Sequence, residues 1–117
     1  MPRIKSNVIR LRHMLDACQK ALRFTRGKLR KELDDDEQLT LALVRLIEIL
    51  GEAAAKVTPD VQARYTSIPW KEIIGTRNRL IHGYEDVNLD ILWQIISSDL
   101  PPLENELQAI IQKEEQN

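Results

Sequence analysis

Within residues 77–84 the chain runs Arg77-Asn78-Arg79-Leu80-Ile81-His82-Gly83-Tyr84. That run holds a permanent cation with a forked donor set suited to anionic oxygens and a histidine able to exchange a proton near neutral pH. At about 100° per residue, one helix from Trp70 to Gly83 places Trp70, Ile73, Ile74, Arg77, Ile81 and Tyr84 on one broad face. Arg79 then points to the opposite, solvated side. An arginine among apolar neighbours is costly unless something anionic or hydrogen-bonding meets it. Glu48 or Glu52 of the protein itself is one candidate, and an anionic ligand is the other. On such a helix His82 lies roughly 140° round from Arg77, whereas Asn78 and His82 are spaced i, i+4 and touch. Gly83 is a natural left-handed C-cap that would release His82 and Tyr84 from helix geometry. By position alone, His82 is a cap or dipole partner as readily as an acid–base group.

The elements that must hold this segment carry a helical period. Val8, Leu11, Leu15, Cys18 and Leu22 form one apolar stripe, with Ser6 a plausible N-cap and Gly27 a plausible stop. Arg10, His13, Lys20 and Arg23 fall on the other side, which makes His13 a surface residue. Asp34 and Glu37 have capping-box spacing at the head of the next helix. There Leu39, Leu43, Leu46, Leu50, Ala53 and Val57 make a stripe that Ala42, Val44, Ile47, Ile49 and Ala54 widen almost all round. Only Arg45, Glu48, Glu52 and Lys56 keep a thin polar line. A helix this apolar is central in a bundle, or shared between a bundle and a second subunit. Gly51 in its middle points to close backbone approach, since glycine costs about 1 kcal/mol there relative to alanine.

Thr58-Pro59 starts a short helix ending near Tyr65, and Asn88 caps another with Leu89, Leu92, Trp93 and Ile96 on one face. Pro101-Pro102 breaks or restarts the chain before Leu103, Leu107, Ile110 and Ile111, and a polar tail follows from Gln112 to Asn117. No stretch alternates with period two for long enough to make a convincing strand. The expected fold is all-α: an antiparallel bundle of about four main helices plus a short one, spanning 1–117 as one domain with frayed ends at 1–5 and 112–117.

Composition narrows the function classes. With 117 residues, 43% of them hydrophobic and 30% charged, and only four Gly and five Pro, the chain suits one packed domain and not a disordered linker. The single cysteine, Cys18, excludes an internal disulfide, and no Cys/His cluster has zinc spacing, so no metal or cofactor is expected. No apolar run is long enough to span a membrane and the N-terminus lacks signal-peptide character, which reads as a soluble, cytoplasmic protein. The net charge of −1 hides an asymmetry. Residues 1–33 carry ten Lys/Arg against Asp16 and Glu32, and the remainder seven against sixteen acids. The basic quarter either touches a polyanion such as RNA or pairs with the acidic rest.

The run Arg77 to Tyr84 resembles the Arg-x-x-x-x-His-x-Tyr pattern of the HepT-like toxins, a branch of the HEPN superfamily. Glu48-Ile49-Leu50-Gly51-Glu52-Ala53-Ala54 is similar to that family's Ile-Gly-Glu-Ala stretch. Ile68-Pro69-Trp70-Lys71-Glu72-Ile73-Ile74-Gly75 is similar to its approach to the motif, and Leu92-Trp93 through Asp99-Leu100-Pro101 to its closing helices. The resemblance covers most of residues 6–111.

It implies a helical-bundle, metal-independent ribonuclease acting as the toxin of a toxin–antitoxin pair, partnered by a minimal nucleotidyltransferase (MntA-type) antitoxin. By the same resemblance Arg77 and His82 are the catalytic pair, Asn78 supports them, and Tyr84 is adenylylated by the antitoxin with its own ATP and magnesium. Metal-free RNA cleavage needs a base for the 2′-OH proton, an acid for the leaving 5′-oxygen and a cation for charge on the phosphorane. His82 serves as base or acid and Arg77 as the cation. One histidine cannot easily be both, and His13 lies on the wrong face, so a homodimer with two His82 and two Arg77 in one cleft is expected. AMP on Tyr84 would block that cleft and compete for Arg77. Two other readings stand beside this one. The chain is alternatively a non-catalytic HEPN subunit that binds nucleotide or docks a nucleotidyltransferase, or else a plain structural bundle. The last leaves Arg77 unexplained unless it has an acidic partner.

Overall fold

The computed structural model describes residues 3–82 and 86–116, with side chains from Ser6 to Ile81 and from Asp86 to Gln116. Three long helical rods dominate: α1 (Arg3–Phe24), α3 (Glu37–Ala55) and α8 (Leu100–Gln116). Between them lie the short helices α2 (Glu32–Asp35), α4 (Pro59–Arg64), α5 (Trp70–Ile74), α6 (Thr76–Leu80) and α7 (Leu89–Gln94). A two-residue antiparallel ladder joins β1 (Ile81–His82) to β2 (Asp86–Val87). The fold is thus all-α, with this ladder as a local exception to the strand-free reading.

Long-range hydrogen bonds fix the directions. Asn7, near the start of α1, exchanges two bonds with Thr58 just past the end of α3, Nδ2 to Oγ1 at 2.9 Å and backbone N to Oδ1 at 3.0 Å. Arg12 pairs with Glu115 at the far end of α8, and Cys18 Sγ donates to the Leu100 carbonyl at its start. Both α3 and α8 therefore run antiparallel to α1 and pack on it. Their facing stripes bury Leu11, Met14, Cys18 and Ala21 of α1 against Leu43, Leu46, Ile47 and Leu50 of α3 and Leu103, Leu107 and Ile110 of α8. Val8, Leu15 and Leu22 are only half-buried, because the contact line runs nearer to Met14 and Ala21 than the sequence stripe suggests.

Local chemistry sets most boundaries. Gly27 takes φ +75 after α1, the left-handed turn for which it was singled out. Helix α3 is capped by Asp36, whose side chain accepts from Leu39 N, and not by Asp34, because Leu33 to Asp35 already belong to α2. Thr58 and Pro59 open α4 as expected, although the Thr58 hydroxyl is used by Asn7 and does not cap. Asn88 caps α7 through Ile91 N at 3.1 Å. The prolines at 101 and 102 do not interrupt the rod: α7 passes through a π-helical turn (Ile95–Asp99) directly into α8. Prolines fit a first helical turn, and the wider turn ahead of them spares the preceding carbonyls their rings.

Two further expectations are corrected. Residues 112–116 are helical and not a frayed tail. Glu114 is only 2% exposed and accepts from Arg64 and from the Tyr65 hydroxyl, tying α8 to α4. The helix read from Trp70 to Gly83 stops at Leu80 and is broken at Gly75, so among the described residues the fourth member of the bundle is short and interrupted.

Burial pushes the Cys18 thiol up to about 12, with nearby Glu104 adding to the effect. A raised folded value means that the protonated thiol favours the native state. This contribution is complete below the ordinary thiol pKa and is lost as pH rises toward the folded value. Iodoacetamide at pH 8.5 should therefore leave Cys18 unmodified in the native protein and alkylate it rapidly in urea. Equal rates under both conditions, read by intact mass, would show the thiol to be accessible.

Candidate active site

The site is built where α3 meets α5 and α6. Gly51 lets those backbones approach: a Cβ added there would stand 3.1 Å from the Ile73 carbonyl oxygen and 3.6 Å from that of Ile74. Close approach at Gly51, expected from the sequence, is what the structure has. At Gly75 the helix breaks, and Thr76 Oγ1 donates back to the Glu72 carbonyl at 2.7 Å. Arg77 does not sit inside an apolar stripe: its side chain is 62% exposed and Ile74 is 41% exposed beside it, because the buried face centres on Ile73, Thr76 and Leu80.

Arg77 Nε donates to Glu48 Oε2 at 2.7 Å, and among the described residues this is the only hydrogen bond or ion pair Arg77 makes. The acidic partner anticipated for Arg77 is therefore present, and it is Glu48 and not Glu52. The Glu48 carboxylate, on α3, is 22% exposed. Arg45 approaches its other oxygen at 3.7 Å and reaches Glu52 at 3.5 Å.

Two depressions share Arg77 and Glu48 as a common wall. One, of about 240 Å³, is lined by Gly51, Ala55, Ile73 and Ile74. The other is a wider groove of about 750 Å³, bounded by Leu41, Val44, Ile81, Asp86 and Val87. Leu41, 59% exposed, and Ile74 leave apolar surface open on either side of Arg77.

After Leu80 the chain turns extended, and the β-branched pair Ile81 and Val87 faces across the ladder. His82 lies in β1 with its Cα opposite that of Asp86. The helical i, i+4 relation of Asn78 to His82 is therefore absent. The side chain of His82, the Gly83 cap and the position of Tyr84 lie outside the described residues. Asn78 and Arg79 are exposed, and so is His13, as the sequence reading has it. Asp86 was not singled out from sequence. The short ladder between residues 81–82 and 86–87 brings it to the groove, and two-residue strands are too short to show an alternation in the sequence.

The electrostatics of the groove are mixed. Asp34, Glu37, Glu48 and Asp86 line it, with Arg77 the single cation of its wall among the described residues. The basic first quarter is partly spent on ion pairs, Arg12 with Glu115 and Arg30 with Asp34 and Asp90. Arg26, Lys28 and Lys31 make no ion pair among the described residues, and they immediately precede the groove residues Leu33 and Asp34. Among the described residues no cluster of three or more His, Cys, Asp or Glu is placed to hold a metal ion, and no helix is long and apolar enough to cross a membrane.

The sequence model of the family described as Ribonuclease HepT-like matches residues 14–110. A provisionally named RNase of Caldanaerobacter subterraneus subsp. tengcongensis is 38% identical over 104 residues, covering 89% of this chain and 93% of that one. A provisionally named RNase of Methanocaldococcus jannaschii is 30% identical over 97 residues, covering 83% and 89%. A protein of Thermococcus cleftensis, provisionally named ribonuclease HepT, is 29% identical over 100 residues, covering 86% and 91%. No solved structure gives a significant match.

Proposed function

This chain belongs to the HepT-like ribonuclease family, and on that premise we propose that it is the toxin of a toxin–antitoxin pair, cleaving RNA without a metal ion through Arg77 and His82. The observation that carries the reading is the placement of Arg77. It stands at the wall of an open groove, bonded among the described residues through one nitrogen only, with the His82 backbone paired to the groove-lining Asp86 and next in the ladder to the Ile81–Val87 pair. In the reaction the 2′-oxygen attacks phosphorus and loses its proton to a base. The bond to the 5′-oxygen then breaks, and that oxygen takes a proton from an acid. His82 fills one of these roles, Arg77 neutralises the phosphorane oxygens, and Asn78 supports them.

A homodimer completes the set, since a two-fold axis beside Arg77 brings a second His82 and a second Arg77 into one cleft. Two features support a partner surface there. The apolar flanks Leu41 and Ile74 are exposed, and among the described residues one guanidinium against four groove carboxylates is a weak phosphate site by itself. Arg26, Lys28 and Lys31 would supply the non-specific, salt-sensitive part of RNA binding. Neutralisation follows from chemistry at Tyr84: its hydroxyl attacks the α-phosphorus of ATP held with magnesium by a minimal nucleotidyltransferase antitoxin, and pyrophosphate leaves. The resulting AMP ester is a bulky anion that would compete with RNA for Arg77.

The test is incubation of the purified chain with total RNA in excess EDTA beside a folded His82→Ala variant. Cleavage by the wild type alone is the expected result. Intact RNA with both proteins, when mass shows Tyr84 unmodified, would move the chain to the non-catalytic reading, a subunit that binds nucleotide or docks a nucleotidyltransferase.

A further inference from the structure

We propose that Glu48 is a positioning residue for Arg77, holding the guanidinium in the orientation in which its terminal nitrogens meet the reacting phosphate. The proposal rests on the ribonuclease reading above. It starts from which atoms are joined. Glu48 Oε2 takes Nε of Arg77 at 2.7 Å, while the two terminal nitrogens make no bond among the described residues. A carboxylate that captured the end of the fork would occupy the donors a phosphate needs. One bound to Nε fixes the plane of the group and leaves its end-on edge free.

Two simpler explanations of the pair fail on magnitude and sign. As a stabilising contact it is minor, because Arg77 is 62% exposed and ion pairs of exposed side chains contribute about 0–1 kcal/mol. As a binding group Glu48 is adverse, since its negative charge faces the place where an anionic substrate must come. Orientation is the role left. The mounting suits that role. Glu48 is the less exposed member at 22%, its second oxygen is approached by Arg45 at 3.7 Å, and Arg45 also reaches Glu52. Glu48 also sits one helical turn before Gly51, where α3 and α5 approach most closely, so the distance from carboxylate to guanidinium is set by the backbones.

The experiment is steady-state cleavage of a short oligoribonucleotide in EDTA by wild type, Arg77→Ala, Glu48→Ala and Glu48→Gln, with thermal unfolding of each. Glu48→Ala should lose about 10- to 100-fold in kcat, the scale of a catalytic group displaced by about an ångström. Its KM should stay level or fall, because a repelling charge has gone. Glu48→Gln, whose amide oxygen still accepts from Nε, should recover much of the kcat. A merely structural glutamate would lower the melting temperature and leave the kcat and KM of the folded enzyme alone. If Arg77→Ala is dead and Glu48→Ala turns over like wild type, this proposal is overturned and the ribonuclease reading survives. If the wild type itself cuts nothing, both fall.

Discussion

Arg77→Ala should cut RNA about 10²–10³-fold more slowly than the wild type while melting within a few degrees of it. The rate follows from the role: one preorganised donor facing developing charge on a transferring phosphoryl group is commonly worth that factor. The small stability change follows from the geometry. Arg77 is 62% exposed and its one partner among the described residues, Glu48, is itself accessible, so removing it strands no deeply buried charge. Arg77→Lys separates charge from shape. An ammonium keeps the positive charge but cannot bind Glu48 through one nitrogen and a phosphate through two others, so an intermediate rate is expected. Single-turnover rates beside melting curves provide the measurement. An alanine variant that cuts at the wild-type rate would remove Arg77 from the catalytic set. One that melts far below the wild type would instead make the Glu48 pair a structural contact after all.

What the sequence could show about this site depended on the range over which each signal acts. Gly27, Pro59 and Asn88 announce their turns and helix starts because the preference that matters is the residue's own backbone geometry or a bond within three or four residues. The stripes of α1 and α3 are legible because one buried face repeats with the helix itself. Residues 70–84 mislead for the converse reason. Their apolar spacing fits one continuous helix, and only the break at Gly75 and the pairing of Ile81 with Val87 show otherwise. That ladder joins two-residue segments too short to carry an alternation, and the bond of Asn88 N to the Leu80 carbonyl at 2.8 Å extends it. The acidic partner of Arg77 was legible as a pair of candidates. Choosing Glu48 over Glu52 took the packing of α3 against α5 and α6, which no helical wheel contains.

The buried positions explain why an apolar segment delivers an exposed cation. Trp70 and Ile73 lie at 8% exposure, Thr76 at 7% and Leu80 at 0%, so the core face centres on Ile73, Thr76 and Leu80. Ile74 and Arg77 fall on the outer side of that face, at 41% and 62%. The Thr76 hydroxyl, bonded back to the Glu72 carbonyl, satisfies a group that the break would otherwise expose.

Gly51→Val should destabilise the protein by about 1–3 kcal/mol and lower RNA cleavage in the fraction that remains folded. The first carbon of any side chain at this position lies 3.1 Å from the Ile73 carbonyl oxygen, and the Ile74 backbone is the next nearest group. These are main-chain atoms of α5, which cannot rotate aside as a flexible side chain would. Alanine presents a closer contest, because its helix propensity recovers about 1 kcal/mol over glycine while its methyl presses on the same oxygen. Its net effect depends on whether α5 yields a few tenths of an ångström. Valine adds two methyl groups and loses the option of a small shift, so α5 must move outward. Arg77 begins the next turn after that helix, so the movement lengthens the 2.7 Å bond to Glu48 and displaces the guanidinium from the groove wall. Stability and activity should therefore fall together in Gly51→Val, whereas Arg77→Ala should lower activity alone. A valine variant with wild-type melting and wild-type cleavage would mean that the close approach of α3 and α5 does not set the position of Arg77.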